Sequence, residues 1–220
     1  MRFTGGESKK KSFDTFELTF HHYDKYSYLW DNLYFTELVE KNKKNNKITF
    51  TIKAKEVNTL QQFFKSNYFS YSDGILFFNM ITQQLFTLDK NNTGILFFDI
   101  NDIIVIKDNF DNNLFYFTNV DKIIQKKNNF LDVNTPFDKK HFFISPEMKN
   151  MNNLPGKVTK YSSCYSLAIL TIYGFLKDKT KTINQNTIDE TVGFLGLNKL
   201  FYSLKRAIKD IPKERKLLYI

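Results

Sequence analysis

The chain has 220 residues, 42% of them hydrophobic and 17% aromatic, including 24 Phe and 12 Tyr; this excludes a disordered composition and supplies a core for one domain or two small lobes. Its formal net charge is +9, but Arg2, Arg206 and Arg215 are its only arginines. The remaining charge is lysine in runs such as KNKKNNK (41–47), KIIQKK (122–127), KVTK (157–160) and KDKTK (177–181), set beside Asn in what read as solvated loops. A nucleic-acid surface is therefore an alternative and not the favoured reading. The single Cys164 excludes an internal disulfide and a cysteine-based zinc site, which implies an intracellular, reducing compartment. No apolar leader opens the sequence, and no run is long enough to span a bilayer, so neither secretion nor a membrane partner is expected.

Residues 1–12, made largely of Gly, Ser and Lys, predict a disordered tail. Phe13–Phe20 alternates as a strand. Leu33–Val39 and Ile48–Ile52 flank EKNKKNNK and predict a hairpin with a long, lysine-rich loop. Lys53–Asn58 is a polar connection into LQQFFKSN, a short amphipathic helix. Ser72 or Asp73 can cap the next helix, whose dense apolar positions run to Leu88 and which ends near Asn91-Asn92, with Gly94 beyond it. Ile103–Ile106 and Leu114–Thr118 predict a second hairpin across the turn-forming KDNFDNN. Residues 119–143 show no clear period. Tyr161–Leu176 is too apolar for a surface helix and too short to cross a bilayer, so it predicts a buried helix. Lys177–Asp189 reads as a polar connection, and 198–211 as an amphipathic helix stopped by Pro212.

Two motifs carry a resemblance. Ser145-Pro146-Glu147, followed by Ser163-Cys164-Tyr165-Ser166-Leu167-Ala168 at the start of the apolar helix, resembles the protein-kinase fold. In that family an Ala-Pro-Glu closes the activation segment and an Asp-x-Trp-Ser-x-Gly opens the central helix of the large lobe. Here Ser163 stands for the Asp and Ala168 for the Gly. The order of elements over roughly residues 33–218 matches as well. The resemblance implies an α+β, protein-kinase-like fold: a reduced β-rich small lobe over 13–56 and a mainly helical large lobe over 57–220. The lysine- and asparagine-heavy composition with eroded motifs also resembles kinase-like proteins of large DNA viruses. That implies a host-cell cytoplasm or a virion as the location.

Phosphoryl transfer needs a phosphate clamp, metal ligands and an Asp that orients the attacking hydroxyl. Gly5-Gly6 is the only glycine cluster near the start, no G-x-G-x-x-G exists, and Lys25 is the nearest lysine to the expected strand position. Aligned without a gap, the catalytic loop puts Asp102 at the metal-binding Asn position and Phe97 at the catalytic Asp. A two-residue deletion puts Asp99 at the catalytic Asp instead, with Phe97 and Phe98 replacing His and Arg. Asn119-Val120-Asp121 stands where the family has its Asp-Phe-Gly metal motif, and a neutral Asn is a poorer Mg²⁺ ligand than a carboxylate. The resemblance thus implies a pseudokinase: no enzyme activity, no cofactor, and a binding or scaffold role toward a protein partner. Asp99 and Asp102 are the acids of the alternative, an active but divergent Ser/Thr kinase using ATP and Mg²⁺, with Asn119 and Asp121 as its candidate metal residues. A basic α+β nucleic-acid-binding protein is the second alternative.

What the resemblance keeps is scaffold, an ion pair between Glu147 and Arg215. The other reactive residues read as structural: His21 and His22 would face opposite sides of a strand, His141 precedes the Pro-Glu turn, and Cys164 is an inert core thiol. Thr135-Pro136 is a candidate phosphorylation site in its loop.

Overall fold

A computed structural model describes residues 1–176, 184–196 and 198–217. The protein is α+β with antiparallel sheets, and it divides into two compact units. Unit 1 comprises residues 1–68 and 100–122; unit 2 comprises 69–99 and 123–220. The expected division at residue 56 is therefore replaced by one in which the 103–117 hairpin belongs with the N-terminal residues.

Unit 1 opens with β1 (Arg2–Phe3), β2 (Gly6–Lys10) and β3 (Thr15–His21), then α1 (Tyr23–Trp30), β4 (Leu38–Lys44) and β5 (Lys47–Lys53). These strands form one sheet in the order β1-β2-β3-β5-β4. Residues 1–12 are thus no disordered tail: β2 pairs along β3 from Gly6↔Phe20 to Lys10↔Phe16. Backbone pairing holds a segment whose side chains are too polar to announce a strand. The alternation in β3 and β5 sets the register. Phe16, Leu18 and Phe20 face Ile52, Phe50 and Ile48 across the ladder, all six buried. Phe20 stacks on Trp30 of α1 with ring centroids 4.6 Å apart.

The expected lysine-rich loop is mostly strand. Only Asn45-Asn46 turn the hairpin, both with positive φ (52° and 57°), and Lys44 pairs with Lys47. A two-residue turn with both central residues left-handed matches the twist of its strands, and Asn tolerates that conformation. Helix α1 was hidden in HHYDKYSYLW by a missing cap: the His22 side chain makes no capping bond, and Asn46 Oδ1 instead accepts from the Asp24 N–H at 2.8 Å.

The rest of unit 1 is β6 (Glu56–Thr59), α2 (Leu60–Ser66), β8 (Ile103–Lys107) and β9 (Asn113–Phe117), with sheet order β6-β8-β9. Phe35 joins this sheet to the first, lying 4.9 Å from Phe50 and 5.4 Å from Tyr116.

In unit 2, α3 (Tyr71–Lys90) starts from Ser70, not from Ser72 or Asp73. The Ser70 hydroxyl accepts from the Asp73 N–H and the Asp73 carboxylate accepts from the Ser70 N–H, a reciprocal capping box. Then come β7 (Thr93–Ile95), β10 (Ile123–Lys127), β11 (Phe130–Val133), α4 (Pro146–Lys149), β12 (Gly156–Thr159) and α5 (Tyr161–Phe175). The strands pair in the order β12-β11-β10-β7, so the segment expected to lack regular structure contains a hairpin. Leu131, Val133, Ile144, Met148 and Val158 form one buried cluster there.

Helix α5 is buried along most of its length, as its composition predicts. It packs on α3 at Gly74, where a Cβ would stand 2.3 Å from the Phe175 ring. The chain continues with α6 (Gln185–Phe194) and α7 (Lys199–Ala207). Helix α6 begins inside the stretch expected to be a polar connection; residues 177–183 of that stretch lie outside the described residues. Helix α7 ends at Ala207, short of the expected Ile211, and a single 3₁₀ turn follows at Pro212–Glu214.

Candidate functional site

The turn before α4 places Glu147 in the first helical turn, with Pro146 ahead of it, where a missing N–H costs nothing. Ser145 ties this turn to α5, its hydroxyl 2.7 Å from that of Ser162 with both side chains buried. Arg215, at the end of the 3₁₀ turn, is 0% exposed. Its Nη1 and Nη2 donate to Glu147 Oε1 and Oε2, each at 2.7 Å, a bidentate fork. The remaining donors reach the carbonyls of Lys209 (2.6 Å), Asp210 (2.9 Å) and Tyr161 (3.1 Å), so all five guanidinium N–H groups are used. The Tyr165 ring lies 5.0 Å from the guanidinium carbon. The two residues singled out by sequence as an ion pair therefore meet.

In unit 1, Asp102 precedes β8 and Asn119 follows β9, so the hairpin returns one to the other. The Asp102 carboxylate is 2% exposed. Its Oδ1 accepts from Asn119 Nδ2 at 2.6 Å and its Oδ2 from Lys122 Nζ at 2.7 Å. The Asp102 carbonyl takes the Thr118 N–H at 2.8 Å and the Thr118 hydroxyl at 3.2 Å, which fixes the pair at the hairpin base. Asn119 Oδ1 is buried and meets no hydrogen-bond donor among the described residues. Flipping the amide would aim that oxygen at a carboxylate, so the hydrogen-bond pattern itself assigns its orientation. Asp121 is exposed on the 3₁₀ turn Val120–Lys122. Lys122, one residue on, lies in a lysine-rich run whose members the sequence does not tell apart; its place a single turn after Asn119 is the signal that sets it beside Asp102.

Gly5, with φ +88°, packs against the same hairpin, where a Cβ would stand 1.9 Å from the Thr118 carbonyl oxygen. The glycine pair near the start thus serves a close approach of backbone to backbone.

In unit 2, Asp99 Oδ2 lies 2.6 Å from His141 Nε2, both side chains half-buried. His141 Nδ1 accepts from the Phe143 N–H at 3.3 Å, which leaves the proton on Nε2 to be donated to Asp99. Both ring nitrogens are thereby occupied, and the ring lies between Phe97 (5.1 Å) and Phe143 (5.4 Å). The backbone here is pinned from α5, whose Ser166 hydroxyl accepts from the Phe98 N–H at 2.7 Å. His141, expected to be structural, pairs with Asp99, 42 residues away in sequence.

Cys164 is buried in α5, and burial pushes its thiol up to about 12, which keeps it neutral. His21 and His22 do not converge on a shared ligand position: His21 ends β3, and His22 turns through a positive φ of 58°. Among the described residues no group of three His, Cys, Asp or Glu side chains could hold a metal ion, and no helix is long and apolar enough to cross a membrane. Compared with known proteins, the chain matches no family model and none of the curated proteins.

Proposed function

We propose that the chain is a catalytically degenerate, protein-kinase-like domain that acts as a binding or scaffold module for a protein partner. The fork between Glu147 and Arg215, at a Ser-Pro-Glu turn tied to a buried central helix, supports the fold side of this reading. The observation that carries the functional side is the occupancy of Asp102. Its two carboxylate oxygens already face an ammonium and a carboxamide. Magnesium would have to displace Lys122, and would then meet the neutral Asn119 in place of a second carboxylate.

Titration with ATP and MgCl₂ in a thermal-unfolding assay tests the reading. The expected outcome is a melting temperature unchanged within about 1 °C. A nucleotide present at 100 times its Kd adds about 2.7 kcal/mol, which for a protein of this length raises the midpoint by roughly 5–11 °C. A rise of that size, with phosphate transfer to a peptide, would replace the scaffold reading with the divergent-kinase one. Asp99, already oriented by His141, is the observation that favours that second reading.

A further inference from the structure

Unit 2 contains a cavity of about 300 Å³ between α3, the start of α5 and the segment after α7. Leu85 and Phe86 of α3, Tyr161 and Cys164 of α5, and Leu217 provide its apolar walls. That volume lies at the small end of ligand sites, and an apolar enclosure with a few charged groups at one side is their usual chemistry.

The charges do not balance. Asp89 is the acid in the lining, and Lys126 and Lys160 both bind it, the latter at 2.7 Å. Burial pushes the Asp89 carboxyl up, but the two ammonium groups outweigh it and hold it below the ordinary carboxylate value. One acid therefore answers two cations. Lys213 and Lys216 add two exposed positive charges in the lining, and neither has an ion-pair partner among the described residues. Arg215 contributes no free donor, since all five of its N–H groups are used. The Cys164 thiol, neutral for the reason given above, keeps that wall uncharged. A cation would be repelled at such a mouth, and a small polar anion would leave the apolar walls without a partner.

We infer that this cavity binds a small amphipathic carboxylate, with its apolar body between α3 and α5 and its carboxylate among Lys160, Lys213 and Lys216. The inference is independent of the kinase-like reading, because it rests on the cavity alone.

Decanoate is the probe, with acetate, decanol and decyltrimethylammonium as controls, each titrated by calorimetry into the full-length protein. Saturable binding is expected for decanoate, and binding at least tenfold weaker for each control. The double variant Lys213→Glu/Lys216→Glu reverses two exposed charges that make no ion pair among the described residues. It should bind decanoate at least tenfold more weakly, with an unchanged circular-dichroism spectrum and melting temperature. The inference is overturned if decanoate fails to bind, or if decanol or the quaternary amine binds as tightly. Undiminished binding by a correctly folded double variant overturns it too.

Discussion

Arg215 donates to five oxygens, and two of them belong to one carboxylate. Breaking a buried pair of this kind strands the surviving partner, which costs about 3–5 kcal/mol. Arg215→Ala should therefore lower the free energy of chemical unfolding by roughly that amount, about 3–5 kcal/mol. Arg215→Lys should recover only part of it, because an ammonium cannot span both carboxylate oxygens and three carbonyls. A parent-like denaturation midpoint for Arg215→Ala would remove the structural role assigned to the fork. Asp108 makes a comparable argument in unit 1. Its carboxylate is buried and accepts from the Phe110 and Asn112 N–H groups (2.9 and 2.8 Å), from the Thr36 hydroxyl (2.9 Å) and from Asn112 Nδ2 (3.1 Å). Burial opposes the charge, yet the bonds from Asn112, Thr36 and Phe110 prevail and hold the carboxyl below its ordinary value of 3.8. Because the folded value is the lower one, this stabilisation is complete above about pH 5 and is lost as the pH falls through the folded value. Asp108→Asn should cost roughly 1–3 kcal/mol at pH 7, and its deficit relative to the parent should shrink in urea unfolding at pH 3. The Glu147–Arg215 pair was legible only through the resemblance, which implies an acid at the Ser-Pro-Glu turn paired with an arginine near residue 215; the residues themselves offer only that Arg215 is one of three arginines. Asp108 was legible only as turn chemistry, since nothing in KDNFDNN tells which of its acids is buried.

At the level of elements, the sequence declares those whose side chains do the holding. Helices α3 and α5 and the β8–β9 hairpin are dense in apolar residues, and each lies where its pattern put it. Strands β2 and β4 are held by backbone pairing while lysines face solvent, so hydrophobic periodicity could not report them; all seven residues of β4 are exposed. Such an edge row of lysines also discourages pairing with another chain. Helix α1 depends on a cap supplied from a different hairpin. Asn46→Ala should therefore destabilise unit 1 twice over, through the lost cap (about 1 kcal/mol) and through a left-handed backbone that Ala resists (about 1–2 kcal/mol). Asn45→Gly, which keeps the cap and relieves the backbone, should leave the unfolding midpoint unchanged or raised. If both variants melted like the parent, the turn would not be organising its neighbours.

At the scale of the molecule, neither unit is continuous in sequence. The chain leaves unit 1 after residue 68, returns for 100–122 and leaves again. No linker composition marks these crossings, because each falls between well-formed elements. A fragment of residues 1–68 lacks β8, the partner of β6, and Tyr116, the ring beside Phe35. It should show no cooperative thermal transition. Joining 1–68 to 100–122 through a short Gly-Ser bridge should restore one. A cooperative transition in the isolated fragment would show that the returning hairpin is dispensable. The Glu147–Arg215 fork has a further consequence during biosynthesis. Its partners are 68 residues apart, so at ribosomal speeds the carboxylate waits roughly 3–14 s for its guanidinium to be made. Until then the Glu147 carboxylate has no guanidinium beside the apolar start of α5, and that interval is when a nascent polypeptide of this kind most needs a chaperone.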